Sequence, residues 1–570
     1  MSEIYNRFTL KAKFMTVVAL VILLTGASAF AQIEDARQAI ERREFVRAVS
    51  ILSEMLANQP SADAYLYLGI AYGNMKEYRK AEDTLQEGAR RYPSDARFHN
   101  ELAGVYLATR DLEKAKAELH RALEVDPHNN YASDLLASID ISTGEVQSAL
   151  RSWNQSNRPV IDDILHNYYL NFGAWFVRDS VAFHPAGVLR YRQWKTTEAR
   201  LYATNVFTNV GLEVEPTRIP DHYDAIVRTN SKTNSRSDIF WGLVKAAPFN
   251  TSYFNIWNIR NSGVNWNSIY RWDSQRKLLE GQLGVPVPLP GILHVQMADA
   301  RRSEEWDVSR TIKSQYYNQS HNLVYRGNAM RVSFFHVPDY RFQVGGGFEY
   351  VNRYAKGDIP QLATNSENVG QFFAETLIRP VDRSTYKNRL RLTGFLSRQA
   401  VAGNFNFAGG TAEVDNVITL SKDTRTNINF DVKSGTSRGS RPFEDYFTLG
   451  IDLYTENLLR GHALADHGRY GRAPIGTDFA LENFDIDRQL ARIPMFNYLN
   501  LPFVNVKGLW FFDGARTWDR THIFNDSELL LDTGAGLRFE TPASTFTLIY
   551  GKPLRGGPSV LYGYIQRRLW

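Results

Sequence analysis

From Asp238 to Trp570 the chain alternates polar and apolar side chains with a period of two. Asn427-Ile428-Asn429-Phe430-Asp431-Val432-Lys433 alternates strictly, as do Arg341-Phe342-Gln343-Val344 and Arg389-Leu390-Arg391-Leu392. Such runs build strands whose two faces meet different surroundings. After the first thirty residues, no stretch approaches the ~18–20 continuous apolar residues of a membrane helix. A chain that enters lipid without such a helix must close its strands into a barrel, because only then is every backbone N–H and C=O paired. A soluble sandwich shares the period, but the many aromatics favour the barrel. Tyr253, Phe254, Trp257, Trp266, Tyr270 and Trp272 crowd the early strands, where an interfacial girdle belongs. At ~9–11 residues per crossing plus turns, the segment accommodates roughly twelve to eighteen strands.

The N-terminus reads as an export signal. Arg7, Lys11 and Lys13 precede an apolar run from Phe14 to Leu24, and Ala29-Phe30-Ala31 offers a small-x-small cleavage site before Gln32. That run is short for a bilayer span, so a signal cleaved after residue 31 fits better than a retained anchor. Its removal takes away three basic residues and one acidic, lowering the formal charge from +5 to +3. So small and dispersed a charge gives no ground for nucleic acid as a partner. The chain has no cysteine, which excludes a disulfide framework and thiolate metal sites.

Residues 32–158 repeat. Ala48, Ala81, Ala115 and Ala149 are spaced 33, 34 and 34, and Pro60, Pro93 and Pro127 keep the same period. Tyr65, Leu68, Gly69, Tyr72, Leu85 and, one period on, Leu102, Ala103, Tyr106, Leu119 and Ala122 hold the register. This resembles the tetratricopeptide pattern, in which small residues let paired helices approach and proline ends each unit. Four repeats are counted, the outer two degraded as caps are. Stacked units of this kind present a concave groove for peptides or protein surfaces, or serve as a spacer.

Residues 159–185 read as an aromatic connector containing Tyr168, Tyr169, Phe172, Trp175 and Phe176. A compact unit is expected over 186–233. It comprises a strand Val188–Tyr191, a helix Thr196–Thr204 capped by Thr196 or Thr197, a strand Leu212–Pro216, a turn at Pro220-Asp221 and a strand Tyr223–Arg228. The helix, the step Val206-Phe207-Thr208-Asn209-Val210 and the closing strand resemble the second half of a POTRA module.

Three stretches near the end carry a wider resemblance: Leu459-Arg460-Gly461-His462, Leu509-Trp510-Phe511-Phe512-Asp513-Gly514 and the terminal Leu569-Trp570. In this order they resemble the end of the BamA/TamA outer-membrane assembly superfamily, the bacterial surface antigens. The resemblance implies a multidomain chain: a helical tetratricopeptide solenoid, a small α+β POTRA-like domain, and a transmembrane antiparallel β-barrel of about sixteen strands over 237–570. It further implies that the Arg460 loop folds into the barrel as a lid. Asp513, matched in the family's F-x-D-G/A block, and Glu482 would be its acidic partners. Gly461 would allow a sharp bend, and His462 departs from the family's aromatic. Tyr562, Tyr564 and Trp570 would form the terminal-strand signal. Gln566 and Arg568 share the face of Trp570, where relatives mostly carry apolar residues. By analogy, the last strand would part from a first strand near Asp238–Ala247 at a lateral seam.

The functional expectation is a Gram-negative-type outer-membrane barrel that inserts or translocates polypeptides. Its repeats and POTRA-like part would lie in the periplasm and bind clients or accessory periplasmic or lipoprotein subunits. The alternative is a passive export pore for polysaccharide or another polymer. A third class, a hydrolase, rests only on Gly435-Thr436-Ser437-Arg438-Gly439, which matches a nucleophile elbow without its strand-to-helix setting. Gly345-Gly346-Gly347 lies inside a strand pattern, the histidines lack metal-ligand spacing, and Asp485/Asp487 lack a calcium loop's glycine and glutamate. No catalytic residue, metal or cofactor is expected.

Overall fold

The computed structural model describes residues 31–566 except 144, 155–156, 167–173, 220–221, 233, 245–246, 248–249, 290, 317–320, 360, 363, 384, 422–423, 453–456, 467–468, 495–502 and 541–544. The expected signal segment, Tyr168, Tyr169, Phe172, the Pro220-Asp221 turn, Arg568 and Trp570 therefore lie outside the described residues. The chain clusters into two compact units, residues 1–164, 185–191 and 213–225 in one, and 165–184, 192–212 and 226–570 in the other.

The first unit is built of helix pairs. Phe45–Asn58, Tyr78–Arg91, Leu112–Val125 and Val146–Trp153 are the second helices of successive pairs. Ala48, Ala81, Ala115 and Ala149 each occupy the fourth position of one of them and are fully buried. The same small, buried residue recurs at the same place in each pair, which is why the spacing is legible. Close approach also excludes a side chain at Gly69, where a Cβ would stand 2.4 Å from Leu85 Cγ. Arg43, Lys76 and Arg110 end the first helices with φ near +60°, a left-handed step that reverses the chain between partners. Ser61, Asp111 and Asn129 cap later helices by accepting from the backbone N–H three residues on.

A small α+β region follows, and it begins earlier than the sequence suggests. Its order is strand Val160–His166, helices Ala174–Ser180 and Tyr191–Ala203, then strands Phe207–Pro216 and His222–Ser231, the last lying between the other two. The expected connector thus supplies a strand and a helix. The expected strand at Val188–Tyr191 is reduced to a bridge between Val160 and Val188. Thr196 and Thr197 are not caps. Their hydroxyls donate to the Arg192 and Gln193 carbonyls one turn back, which satisfies them in mid-helix.

Within the second unit, this helix docks on the turn between strands Asn322–Asp339 and Phe342–Lys356. Arg192 Nε donates to Asp339 at 2.6 Å, Arg200 donates to the Val337 and Pro338 carbonyls, and the Tyr340 N–H donates to Thr196 Oγ1.

The strands of this unit close into a barrel. Its ring order names seventeen strands, two of which, Ala465–Asp466 and Arg469–Tyr470, are two-residue pieces of an inward loop. The long strands run as an antiparallel meander from Thr251–Ile259 to Val560–Gln566. Period two becomes two faces. On Phe503–Trp518 the outward Trp510 is 47% exposed, whereas Leu509, Phe511 and Asp513 are buried inward. Met330, Val332 and Phe334 stand outward on their strand, and so do Ile418 and Leu420 on theirs. An apolar outer band is what lipid requires. No helix among the described residues is long and apolar enough to cross a membrane, a statement that does not touch strands.

Two expectations change here. Phe254, Trp266, Tyr270 and Trp272 are exposed as a girdle needs, but Tyr253 is buried because it has the opposite parity to Phe254. The first strand is not near Asp238–Ala247. Ile239-Phe240-Trp241-Gly242-Leu243-Val244 is an unbroken apolar run, ambiguous between strand and helix, and Arg236–Val244 forms a helix beside the opening strand. At its foot the Asn234 amide donates to the Trp257 carbonyl and accepts from the Trp257 N–H, each at 2.7 Å.

Candidate functional site

Between strands Thr426–Gly439 and Asp478–Pro494 the chain makes its longest excursion, residues 440–477, and this loop turns into the barrel. Arg460 lies at its tip, 2% exposed. Its Nε donates to both Asp513 oxygens at 3.1 and 2.9 Å, Nη2 donates to Asp513 Oδ1, and Nη1 donates to Asp485 Oδ1 at 2.5 Å. The Arg460 backbone N–H adds a bond to Asp513 Oδ2, and the guanidinium lies 4.0 Å from the centre of the Phe511 ring. A fork-shaped cation thus meets two carboxylates with an aromatic ring beneath it.

Strand register explains the partners. Asn483 opposes Asp513 and Glu482 opposes Gly514, so Asn483 shares the inward face and Glu482 the outward one. The expected pairing of Glu482 with Arg460 is therefore corrected: Glu482 is exposed, and Asp485, of inward parity, takes that role. Asn483 Nδ2 ties the loop further, donating to the Leu458 carbonyl and to Asp513. Beyond Asp485 the network continues through Arg538, which donates to Asp485 and Asp487, and through Lys507, which pairs with Asp487 and Glu540.

The neighbours of Arg460 are held as firmly. Leu459 is fully buried among Phe447, Leu449, Phe479, Leu481 and Ala515. The Gly461 N–H donates to Asp532 at 2.5 Å, and a Cβ on Gly461 would fall 2.5 Å from the Asp532 carboxyl carbon. Close approach, not a left-handed bend, requires glycine here. His462 Nδ1 lies 3.1 Å from the same carboxylate. Its departure from an aromatic thus replaces ring packing with a polar contact to Asp532, a buried partner that no local motif announces.

The far side of the loop is anchored to the opposite wall. Glu444 accepts from Arg353 Nε and Nη2 at 2.5 and 2.8 Å, and Arg469 pairs with Glu305 at 3.0 Å. Phe443 and Tyr446 join Val308, Ile312, Ile359, Leu362, Ile523 and Phe524 in one apolar cluster drawn from four long loops. On the last strand, Tyr562 and Tyr564 sit within the barrel, Tyr564 buried and Tyr562 Oη donating to Asp452. Ser437 lies inside the strand Thr426–Gly439, opposite Gly409, so the strand-to-helix turn of a nucleophile elbow is not formed.

Comparison with known proteins fits this geometry. No family model matches the chain. CdiB from Escherichia coli aligns over 71% of this chain and 75% of its own, at 11% identity and a TM-score of 0.51. The chain shares the fold of that barrel. CdiB from Acinetobacter baumannii (13% identity, 78% of this chain and 82% of its own, TM-score 0.45) is also similar. So is BamA from Haemophilus ducreyi lacking POTRA domains 1–3 (10%, 71% and 84%, TM-score 0.44). Among curated proteins, anaphase-promoting complex subunit cut9 of Schizosaccharomyces pombe is 34% identical over 93 residues. That match covers 16% of this chain and 14% of the relative's length.

Proposed function

We propose that this protein is an outer-membrane barrel that inserts or translocates polypeptides, with the repeats as a periplasmic arm that receives clients or accessory subunits. The observation that carries the reading is the buried lock of Arg460 on Asp513 and Asp485, which keeps a long loop inside the lumen. A loop locked across the lumen favours a barrel that opens when engaged over a conduit that stands open. The strand-helix-helix-strand-strand order of residues 160–231 supports a POTRA-like module, which would work in the periplasm. The apolar outer face supports residence in a bilayer.

The deciding experiment reconstitutes the full chain in liposomes and supplies unfolded barrel or secreted polypeptides. Insertion or uptake above empty liposomes is expected. Free permeation of polysaccharide with no effect on polypeptides would replace this reading with the export pore. The mature chain should fractionate with outer membranes and migrate heat-modifiably in gels; recovery as a soluble periplasmic protein would refute the barrel.

A further inference from the structure

We propose that Asp452, on the inward loop, is the clasp that holds the barrel's last strand to its opening strands. Its carboxylate is buried and faces both sides of the ring closure. Oδ1 accepts from Tyr562 Oη on the last strand, Val560–Gln566, at 2.6 Å. Oδ2 accepts from Arg271 Nη1 at 3.2 Å and Arg276 Nη1 at 3.1 Å. These arginines belong to Val264–Trp272 and Arg276–Val287, the second and third strands. In the ring order the opening strand, Thr251–Ile259, lies between the last strand and the second. One side chain of the loop therefore spans the place where the two ends of the meander meet.

The charges are arranged for this span. Asp273 accepts from Arg271 Nε at 2.8 Å and pairs with Arg276 Nη2 at 2.9 Å, so both guanidiniums are held toward Asp452. Two arginines then face two carboxylates. Without Asp452, the two arginines share one carboxylate and the Tyr562 hydroxyl loses this acceptor, so the link from the last strand to the second and third is gone. Tyr470, from the same loop, donates to Oδ2 at 3.4 Å with its ring 5.2 Å from the Arg276 guanidinium. Because Arg460 and Asp452 share one loop, withdrawing that loop releases the lumen lock and the ring closure in one movement. What the coupling serves rests on the function proposed above; the clasp is testable on the barrel alone.

The chain has no cysteine, so cysteine pairs are readable without background. One cysteine is scanned along Val560–Ile565 and the other along Thr251–Ile256 in the full-length protein in liposomes without client, and disulfide formation is timed under mild oxidant. In the otherwise unaltered barrel at least one pair should form. Asp452→Asn and Tyr562→Phe should each slow that pair roughly five-fold, the equivalent of about one net hydrogen bond. A control pair at Leu390 and Val414, opposed in adjacent strands, should not change. Tyr562→Phe keeps every charge, so it decides the matter if Asp452→Asn fails the gel test for folding. Unchanged rates in the folded variants, or no pair that forms at all, would overturn the clasp. Slowed pairing in a barrel that handles no polypeptide would leave the clasp standing and refute the function instead.

Discussion

Arg460→Ala is the perturbation whose outcome follows most directly from the geometry. The side chain makes four hydrogen bonds to two carboxylates and covers the Phe511 ring, all with almost no exposure. Asp485 keeps a second cation after the loss, because Arg538 Nη2 donates to it at 3.0 Å. Asp513 retains only Asn483 and the residue 460 N–H among the bonds described here, and it is fully buried. Breaking one side of a buried pair costs about 3–5 kcal/mol, with water entry to the lumen pulling toward about 1. Arg460→Lys keeps the charge without the fork and should fall between Ala and the native residue. In Arg460→Ala/Asp513→Ala no carboxylate is stranded, so the double variant should lose less than the two single losses added together. The assay is the temperature at which the folded band disappears in unboiled gels, and a drop on the order of 5–10 °C is expected for the single variant. An unchanged midpoint, or strictly additive losses in the cycle, would refute the lock.

Three other outcomes are expected. Gly461→Ala places a methyl inside the Asp532 carboxylate's space, so overpacking of about 1–3 kcal/mol should loosen the loop and expose it to protease in folded barrels. Ser437→Ala should change stability by no more than about 0.5 kcal/mol and leave polypeptide handling intact, because its buried Oγ has no hydrogen bond; a loss of function would revive the hydrolase reading. Asp162 is held below the usual carboxylate range first by its hydrogen bond to His222 and then by Thr217. Its depressed value means the contact contributes above the unfolded pKa of ~3.9 and is lost as pH falls through the folded one. His222→Ala should therefore raise the Asp162 titration toward ~3.9, read by carboxyl NMR of labelled aspartate.

What the sequence discloses depends on how far each contact reaches along the chain. The repeat alanines are legible because one helix-packing constraint recurs four times. Arg460 and Asp513 are legible because each sits in a short recognisable block. Asp485 is closer to Arg460 than Asp513 is, yet only strand parity separates it from Glu482, and parity requires a register that turns and bulges can shift. Asp485 and Asp487 read as a failed calcium loop and are instead ion-pair partners of Arg460 and Arg538. Asp532 and Asp452 have no local signature, since His462 and Tyr562 reach them across 70 and 110 residues. The helix at Arg236–Val244 escapes for another reason: a short apolar run without alternation carries no period to read.

The paired bonds between Asn234 and Trp257 have a consequence for how the opening strand is finished. Trp257 falls where the ladder to the next strand shifts register, between Ile256 and Ile259. A backbone donor and acceptor left without partners there would cost stability. The Asn234 amide meets both, imitating one residue of a strand. The end of the strand is thus completed by a side chain from just before the barrel, and is only as ordered as that one rotamer.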